Sequence, residues 1–238
     1  MKTSFLAVET LSKRFGIVEA LKNVTFEISN PEIVGLIGPN GAGKTTFIRL
    51  LLDLIRPTTG AIHLNGVNCT TDSLTVRQNL GFAHTTPHYP PGVSLAEYLT
   101  WLGGVYNIPK EHLAQRIEAL LAYFEMTAHA QRALRTFSSG MEVKSALIQA
   151  FLPGAPFVVL DEPTANLDPL ARVNLLTLIQ TFHKEHQVAF LVSSHSLYEL
   201  EQVCTYYVLL DQGQLVWHGI VQELGEQSLA EFYMETIR

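Results

Sequence analysis

The segment Gly38-Pro39-Asn40-Gly41-Ala42-Gly43-Lys44-Thr45-Thr46 sets Gly38, Gly43, Lys44 and Thr45 in the spacing G-x-x-x-x-G-K-[ST]. An apolar run, Ile33–Ile37, comes before it and a helical pattern over 47–54 comes after. Strand, glycine loop and helix in this order restrict what the chain can fold into more than any other feature, because that context makes the pattern a phosphate-binding turn. Glycines let backbone N–H groups turn inward around an anion. The helix that follows adds the positive end of its dipole. Lys44 is placed to reach terminal phosphates, and the Thr45 hydroxyl to hold Mg²⁺. The loop implies a bound nucleoside triphosphate and leaves open what the binding is for.

Composition narrows the class. The 238 residues are 47% hydrophobic, enough for a sizeable core in one large domain or two interleaved ones. Sixteen basic against 22 acidic residues give a net charge of −6. A nucleic-acid partner demands a basic face, so none is expected. Cys69 and Cys204 stand far apart without metal-site spacing, which fits a reducing compartment and no disulfide scaffold. No apolar run reaches the roughly 18–20 residues that span a bilayer. Residues 1–10 lack the basic start and apolar centre of a signal peptide. A soluble, cytosolic α/β protein is expected.

Along the chain, alternation over 5–9 and 21–28 predicts strands of an antiparallel sheet. Asn30-Pro31 marks a turn, residues 56–60 break the chain, and 61–64 read as a strand before the hairpin turn Asn65-Gly66. From Ser94 to Leu152 the period becomes helical. Ser94 and Glu97 form a capping box for a helix through Leu102, and Leu113, Ile117, Leu120 and Leu121 make a second apolar stripe. Tyr98, Trp101 and Tyr106 read as core of this helical insert, or as an exposed anchor for a partner. Pro153 and Pro156 close it. Residues 157–160 form a short, wholly apolar strand of the kind buried on both faces of a parallel sheet. A helix over 170–183, a strand over 188–192 and a hairpin around Asp211-Gln212-Gly213-Gln214 follow. Leu229, Phe232, Tyr233 and Ile237 share a face of the last helix.

Asp161 ends the 157–160 strand, where a carboxylate can hold Mg²⁺ or its water shell. Glu162 is next; a half-buried position would raise its pKa and suit a general base. The bland alternative is that the two acids cap the next helix. Ser193-Ser194-His195-Ser196 follows the 188–192 strand, which would end at the same crevice. His195 there is either a contact to a γ-phosphate or its water, or a structural histidine.

The run Asp161-Glu162-Pro163-Thr164-Ala165-Asn166-Leu167-Asp168 resembles the Walker B and D-loop motifs of ABC ATPases, the nucleotide-binding subunits of ABC transporters. The resemblance extends from about residue 6 to residue 232, with the motifs in family order. It implies a P-loop NTPase core with a mainly parallel sheet, an N-terminal antiparallel β subdomain and a helical insertion. As one ABC ATPase domain over 1–238, the core would take 1–86 and 154–238 and the helical subdomain about 87–153. The resemblance also implies ATP with Mg²⁺, a head-to-tail dimer, and transmembrane permease partners at the cytoplasmic face of the membrane. By it, Phe15 would stack on adenine, Glu162 would be the catalytic carboxylate and His195 the γ-phosphate switch. Asp168 would reach across the dimer, and Ser138, Ser139 and Gly140 would bind the γ-phosphate of the opposite subunit. Without the family, Phe15 is a strand-end aromatic and Phe137-Ser138-Ser139-Gly140 a loop before a helix, whose free N–H groups suit an anion.

Two departures stand out. The signature segment usually reads Leu-Ser-Gly-Gly-Gln; here Ser139 replaces the first glycine and Met141 the glutamine, a form resembling exporter-type subunits. At the Q-loop, Thr85 stands where the family has a glutamine. Its shorter side chain would reach Mg²⁺ through a water, which predicts weaker coupling to the membrane partner or slow hydrolysis. The alternative function is a regulatory subunit that binds ATP, hydrolyses it poorly and pairs with a more active ATPase.

Overall fold

The computed structural model describes residues 4–84, 89–165 and 167–237. In chain order they form β1 (Leu6–Phe15), β2 (Val18–Ile28), β3 (Ile33–Ile37), α1 (Lys44–Leu51), β4 (Thr59–Leu64), β5 (Val67–Asn68), α2 (Ser73–Gln78) and β6 (Leu80–His84). Then come α3 (Leu95–Val105), α4 (Lys110–Tyr123), α5 (Ser139–Phe151), β7 (Phe157–Asp161), α6 (Pro169–His186), β8 (Ala189–Ser193), α7 (Leu197–Val203), β9 (Tyr206–Asp211), β10 (Gln214–Ile220) and α8 (Leu229–Thr236). The expected elements are present, several of them longer than the sequence pattern indicates, while α1 spans Lys44–Leu51 where the pattern indicates 47–54. The α3 helix runs on past Leu102, and α6 continues to His186, so His183 and His186 lie in its last turn.

Two sheets build the molecule. Strands β2, β1, β4 and β5 pair in that order as an antiparallel sheet. The order of the second is β10-β9-β3-β8-β7-β6; its strands are parallel except β10, which returns antiparallel on β9. Asn65 and Gly66, at φ 49° and 79°, make the tight turn between β4 and β5. Two successive positive φ angles are what such a hairpin turn requires.

The wholly apolar strands read as they do because both their faces are covered. Ile33, Ile37, Val158, Leu160, Phe190 and Val192 join one core cluster, which includes residues of α3, α4, α5, α6 and α7. The alternate residues Val34, Leu36, Phe157, Val159, Ala189 and Leu191 join a second cluster with α1 and the antiparallel sheet. Side chains of a strand alternate in direction, so a buried parallel strand is apolar at every position. Each fully buried aliphatic or Phe side chain contributes about 1.5–3 kcal/mol.

Between β6 and β7 the described residues are helical or irregular. Ser94 caps α3 with the expected reciprocal bonds: its side chain accepts from the Glu97 N–H, and its own N–H donates to the Glu97 carboxylate at 2.9 Å. Leu113, Ile117 and Leu121 are buried, with Leu120 packed at the edge. The aromatic residues of α3 divide. Tyr98 donates to Gln149 Oε1 at 3.0 Å and packs against the core with Tyr106, whereas Trp101 is 64% exposed. Trp101 is therefore not a core residue.

Candidate nucleotide site

The parallel register brings the polar residues to one edge. Leu36 pairs with Ser193, Ser193 with Asp161, and Asp161 with His84. The strand ends of β3, β8 and β7 thus release the glycine loop, the Ser193–Ser196 run and the Asp161-Glu162 pair side by side. Open α/β sheets bind ligands at this carboxyl end. Thr85 lies outside the described residues, as does Asn166.

The loop's shape depends on its glycines. Gly43 has φ 106°, and a Cβ there would come within 2.7 Å of both the Ala20 carbonyl and Leu21 Cδ2. At Gly38, φ 153°, a Cβ would strike the Leu210 carbonyl. The turn of the β9–β10 hairpin, Gln212 and Gly213 at positive φ, braces the loop from outside. The Gly213 N–H donates to the Ala42 carbonyl at 3.0 Å, and the Gly213 carbonyl accepts from the Lys22 N–H at 2.8 Å. Helices α2, α3, α5, α6, α7 and α8 each begin on an Asp or Ser whose side chain accepts a first-turn N–H. At the start of α1, Gly43 provides no such acceptor. First-turn N–H groups of a helix carry partial positive charge and suit an anion.

A cleft of about 500 Å³ opens over this loop. Its lining includes Pro39 through Thr46, with Asp161, Glu162 and His195. Lys44 is nearly buried, and its Nζ donates to the carbonyls of Gly38 at 2.6 Å and Pro39 at 3.2 Å. Burial pulls its pKa down, while the carboxylates of Glu162 and Asp161 pull it back up. Ser193 binds both acids: its Oγ donates to Asp161 Oδ1 at 2.7 Å and accepts from the Glu162 N–H at 3.0 Å.

Glu162 itself sits at φ 52°. A left-handed backbone costs a non-glycine residue about 1–2 kcal/mol. That geometry carries its carboxylate to His195: Oε1 lies 3.1 Å from His195 Nε2, and Oε2 accepts from the His195 N–H at 3.3 Å. Burial raises the Glu162 pKa, as the sequence reading expects; His195 and Lys44 oppose the rise and Asp161 adds to it. Thr45 and Asp161 supply oxygen donors in the cleft. No group of three or more His, Cys, Asp or Glu side chains is arranged to hold a metal ion by itself among the described residues. A hydroxyl and a carboxylate are hard oxygen donors and fit Mg²⁺, which keeps waters and substrate phosphates among its ligands.

The sequence matches the protein-family model described as ABC transporter over residues 21–165. The chain belongs to the ABC transporter ATP-binding family. Over 238 residues it is 34% identical to the ABC-type transporter ATP-binding protein EcsA of Bacillus subtilis, covering 98% of this chain and 96% of that one. It is 28% identical over 222 residues to the Nod factor export ATP-binding protein I of Ralstonia nicotianae, covering 93% and 69%. The solved structure of an ATP-binding subunit of an ABC transporter superposes with a TM-score of 0.88 at 31% identity, covering 99% and 100%. The family's chemistry is ATP binding and hydrolysis. Among the described residues of this ABC ATPase, no helix is long and apolar enough to cross a membrane.

The other predicted site residues lie apart from the cleft lining. Ser138 caps α5, accepting from the Met141 N–H, and Ser139 opens that helix; both are exposed. Ser138, Gly140 and Met141 border a separate cavity of about 530 Å³. Asp168 caps α6, its Oδ1 accepting from the Ala171 N–H at 2.9 Å. Phe15 is 47% exposed at the β1–β2 hairpin, under Lys13 Nζ at 5.0 Å from the ring centroid. Its pairing partner Val18 lines the cleft. Sequence reasoning missed Val18, Glu19, Ala20 and Gln212 as cleft wall. It also missed Tyr233 of α8, which borders a smaller cavity with Gly38, Asn40 and His195. Positions 18–20 follow the turn at Gly16, which the sequence pattern does not mark, while Gln212 sits in the predicted hairpin turn, whose destination the sequence does not give.

Proposed function

We propose that the chain is the ATP-hydrolysing subunit of a membrane exporter, driven by closure of an ATP-bound dimer. On this reading residues 87–153 form the helical subdomain, and 1–86 with 154–238 the core. Gly38 through Thr46 hold the phosphates, with Lys44 turning from the Gly38 and Pro39 carbonyls to the terminal phosphates. Phe15 stacks on adenine. Thr45 and Asp161 would hold Mg²⁺, assisted from position 85. When bound, Mg²⁺ neutralises charge on the phosphate oxygens. Glu162 accepts the proton of the attacking water, and His195 orients the γ-phosphate. A carboxylate whose pKa is raised toward neutrality suits that proton transfer. The observation that carries this reading is the Glu162–His195 pair at 3.1 Å in the same cleft as Lys44 and Thr45.

The placement of Ser138, Ser139, Gly140 and Asp168 outside the cleft lining supports their use by a second ATPase subunit. Export is supported by the Ser139-Gly140-Met141 form of the signature and by likeness to the Nod factor export protein. Membrane passage then falls to permease partners, with this subunit on their cytoplasmic face. The test is steady-state ATPase activity of the purified chain and of Glu162→Gln. Loss of turnover in the variant, with an ATP-dependent dimer retained, is the expected result. A wild type still inactive within its assembled transporter would assign the regulatory role instead.

A further inference from the structure

We propose that Glu199 is a positioning residue for hydrolysis, a buried carboxylate that ties the loop after β7 to the loop after β8. The inference rests on the reading of Glu162 and His195 as the hydrolytic pair. Glu199 lies in the first turn of α7 and is 6% exposed. Its Oε2 accepts from Thr164 Oγ1 at 2.6 Å and from Ser194 Oγ at 3.2 Å. Its Oε1 pairs with Arg172 Nη1 at 3.3 Å. Arg172 in turn donates through Nε to the Leu167 carbonyl at 2.9 Å. Thr164 stands two residues after Glu162, and Ser194 immediately before His195. One carboxylate therefore holds a neighbour of each member of the pair.

The same network fixes the backbone on both sides of His195. Ser194 Oγ accepts from the Ser196 N–H at 3.0 Å, and Ser196 Oγ accepts from the Glu199 N–H at 3.3 Å. Thr164, Ser194 and Glu199 are all buried, so the bonds from the two hydroxyls to the carboxylate are sheltered from water. Burying a carboxylate is costly, and a well-packed apolar residue commonly serves stability as well or better. What the carboxylate adds is geometry: two hydroxyls and a guanidinium converge on two oxygens. The Glu162–His195 contact joins two separate loops, and its 3.1 Å distance holds only while those loops keep their spacing. Small displacements of a catalytic group cost large factors in rate.

The test compares Glu199→Ala, Glu199→Gln and the double variant Thr164→Val/Ser194→Ala in the full chain. Glu199→Ala is expected to lower kcat by up to about 100-fold, with the KM for ATP little changed. Glu199→Gln keeps an oxygen for both hydroxyls and should restore most of that loss. The double variant should reproduce the alanine defect, and adding Glu199→Ala to it should cost little more. Amide hydrogen exchange should rise together in residues 162–168 and 193–196. A lowered thermal midpoint with kcat unchanged, or faster exchange confined to α7, overturns the proposal. A wild type without ATPase activity would defeat the functional reading alone, since the paired exchange response still decides whether Glu199 ties the two loops.

Discussion

The α1 and α5 helices both begin at residues the sequence marks for a triphosphate, and they begin differently. The α1 start is built in from every side. Its glycines admit the Ala20 and Leu210 carbonyls, Gly213 braces Ala42, and the acids at the end of β7 complete the cleft. The α5 start is exposed, closed by the Ser138 hydroxyl, and borders another cavity. One helix start is finished by its own chain. The other has its cap but none of the walls of the first. Long-range packing is what converts a helix N-terminus into a binding site, since the dipole and free N–H groups belong to both.

The largest effect that separates the two regions should come from Glu162→Gln. We expect turnover to fall by about 10²–10⁴-fold, the usual worth of a positioned general base, while equilibrium binding of ATP persists. A variant that keeps its rate would remove the α1 cleft as the seat of hydrolysis. Next, Gly43→Ala forces a methyl group against Ala20 and Leu21 at a positive φ. It should destabilise the fold by about 1–3 kcal/mol in denaturant unfolding and abolish ATP binding. Ser138→Ala removes only a cap, about 1 kcal/mol. It should leave ATP binding by the isolated chain intact and lower the ATPase rate of the assembled transporter. Equal loss of ATP binding in both variants would erase the contrast.

A smaller effect concerns pH. Burial raises the pKa of Glu162 above its unfolded value. Between the two values the folded chain holds a proton that the unfolded chain has released, so stability falls as pH rises through that window. Glu162→Gln has no such proton. Its thermal midpoint should exceed that of the wild type above the window and match it more closely below. The reverse ordering would contradict a burial-driven shift. Smallest is Thr85→Gln, expected to raise ATPase activity modestly; an unchanged rate and Mg²⁺ dependence would dismiss the expectation that the threonine weakens coupling.

Much of this was legible in the chain itself. The apolar strands, the glycine loop and the Ser94-Glu97 box are local patterns, and local patterns survive folding. The gathering of Asp161, Glu162 and His195 at one cleft is legible too, because strand ends predict where polar residues collect. What stayed hidden depends on register and on helix faces. Ser193, one residue of a polar run, becomes the link between two acids only when β8 lies beside β7. Glu199 reads as one more acid on a short helix until α7 turns it inward. For Trp101 the sequence leaves core and exposed anchor both open, and only the face it occupies on α3 decides for exposure.

The two bonds of Gly213 have a mechanical meaning. Lys22 belongs to the antiparallel sheet and Ala42 to the glycine loop, and a single residue of the β9–β10 turn grips both. A tilt of that sheet would drag the loop with it or break the grip. The hairpin turn is thus a two-sided clasp, which sets the position of the glycine loop by reference to the antiparallel sheet as well as to its own strand.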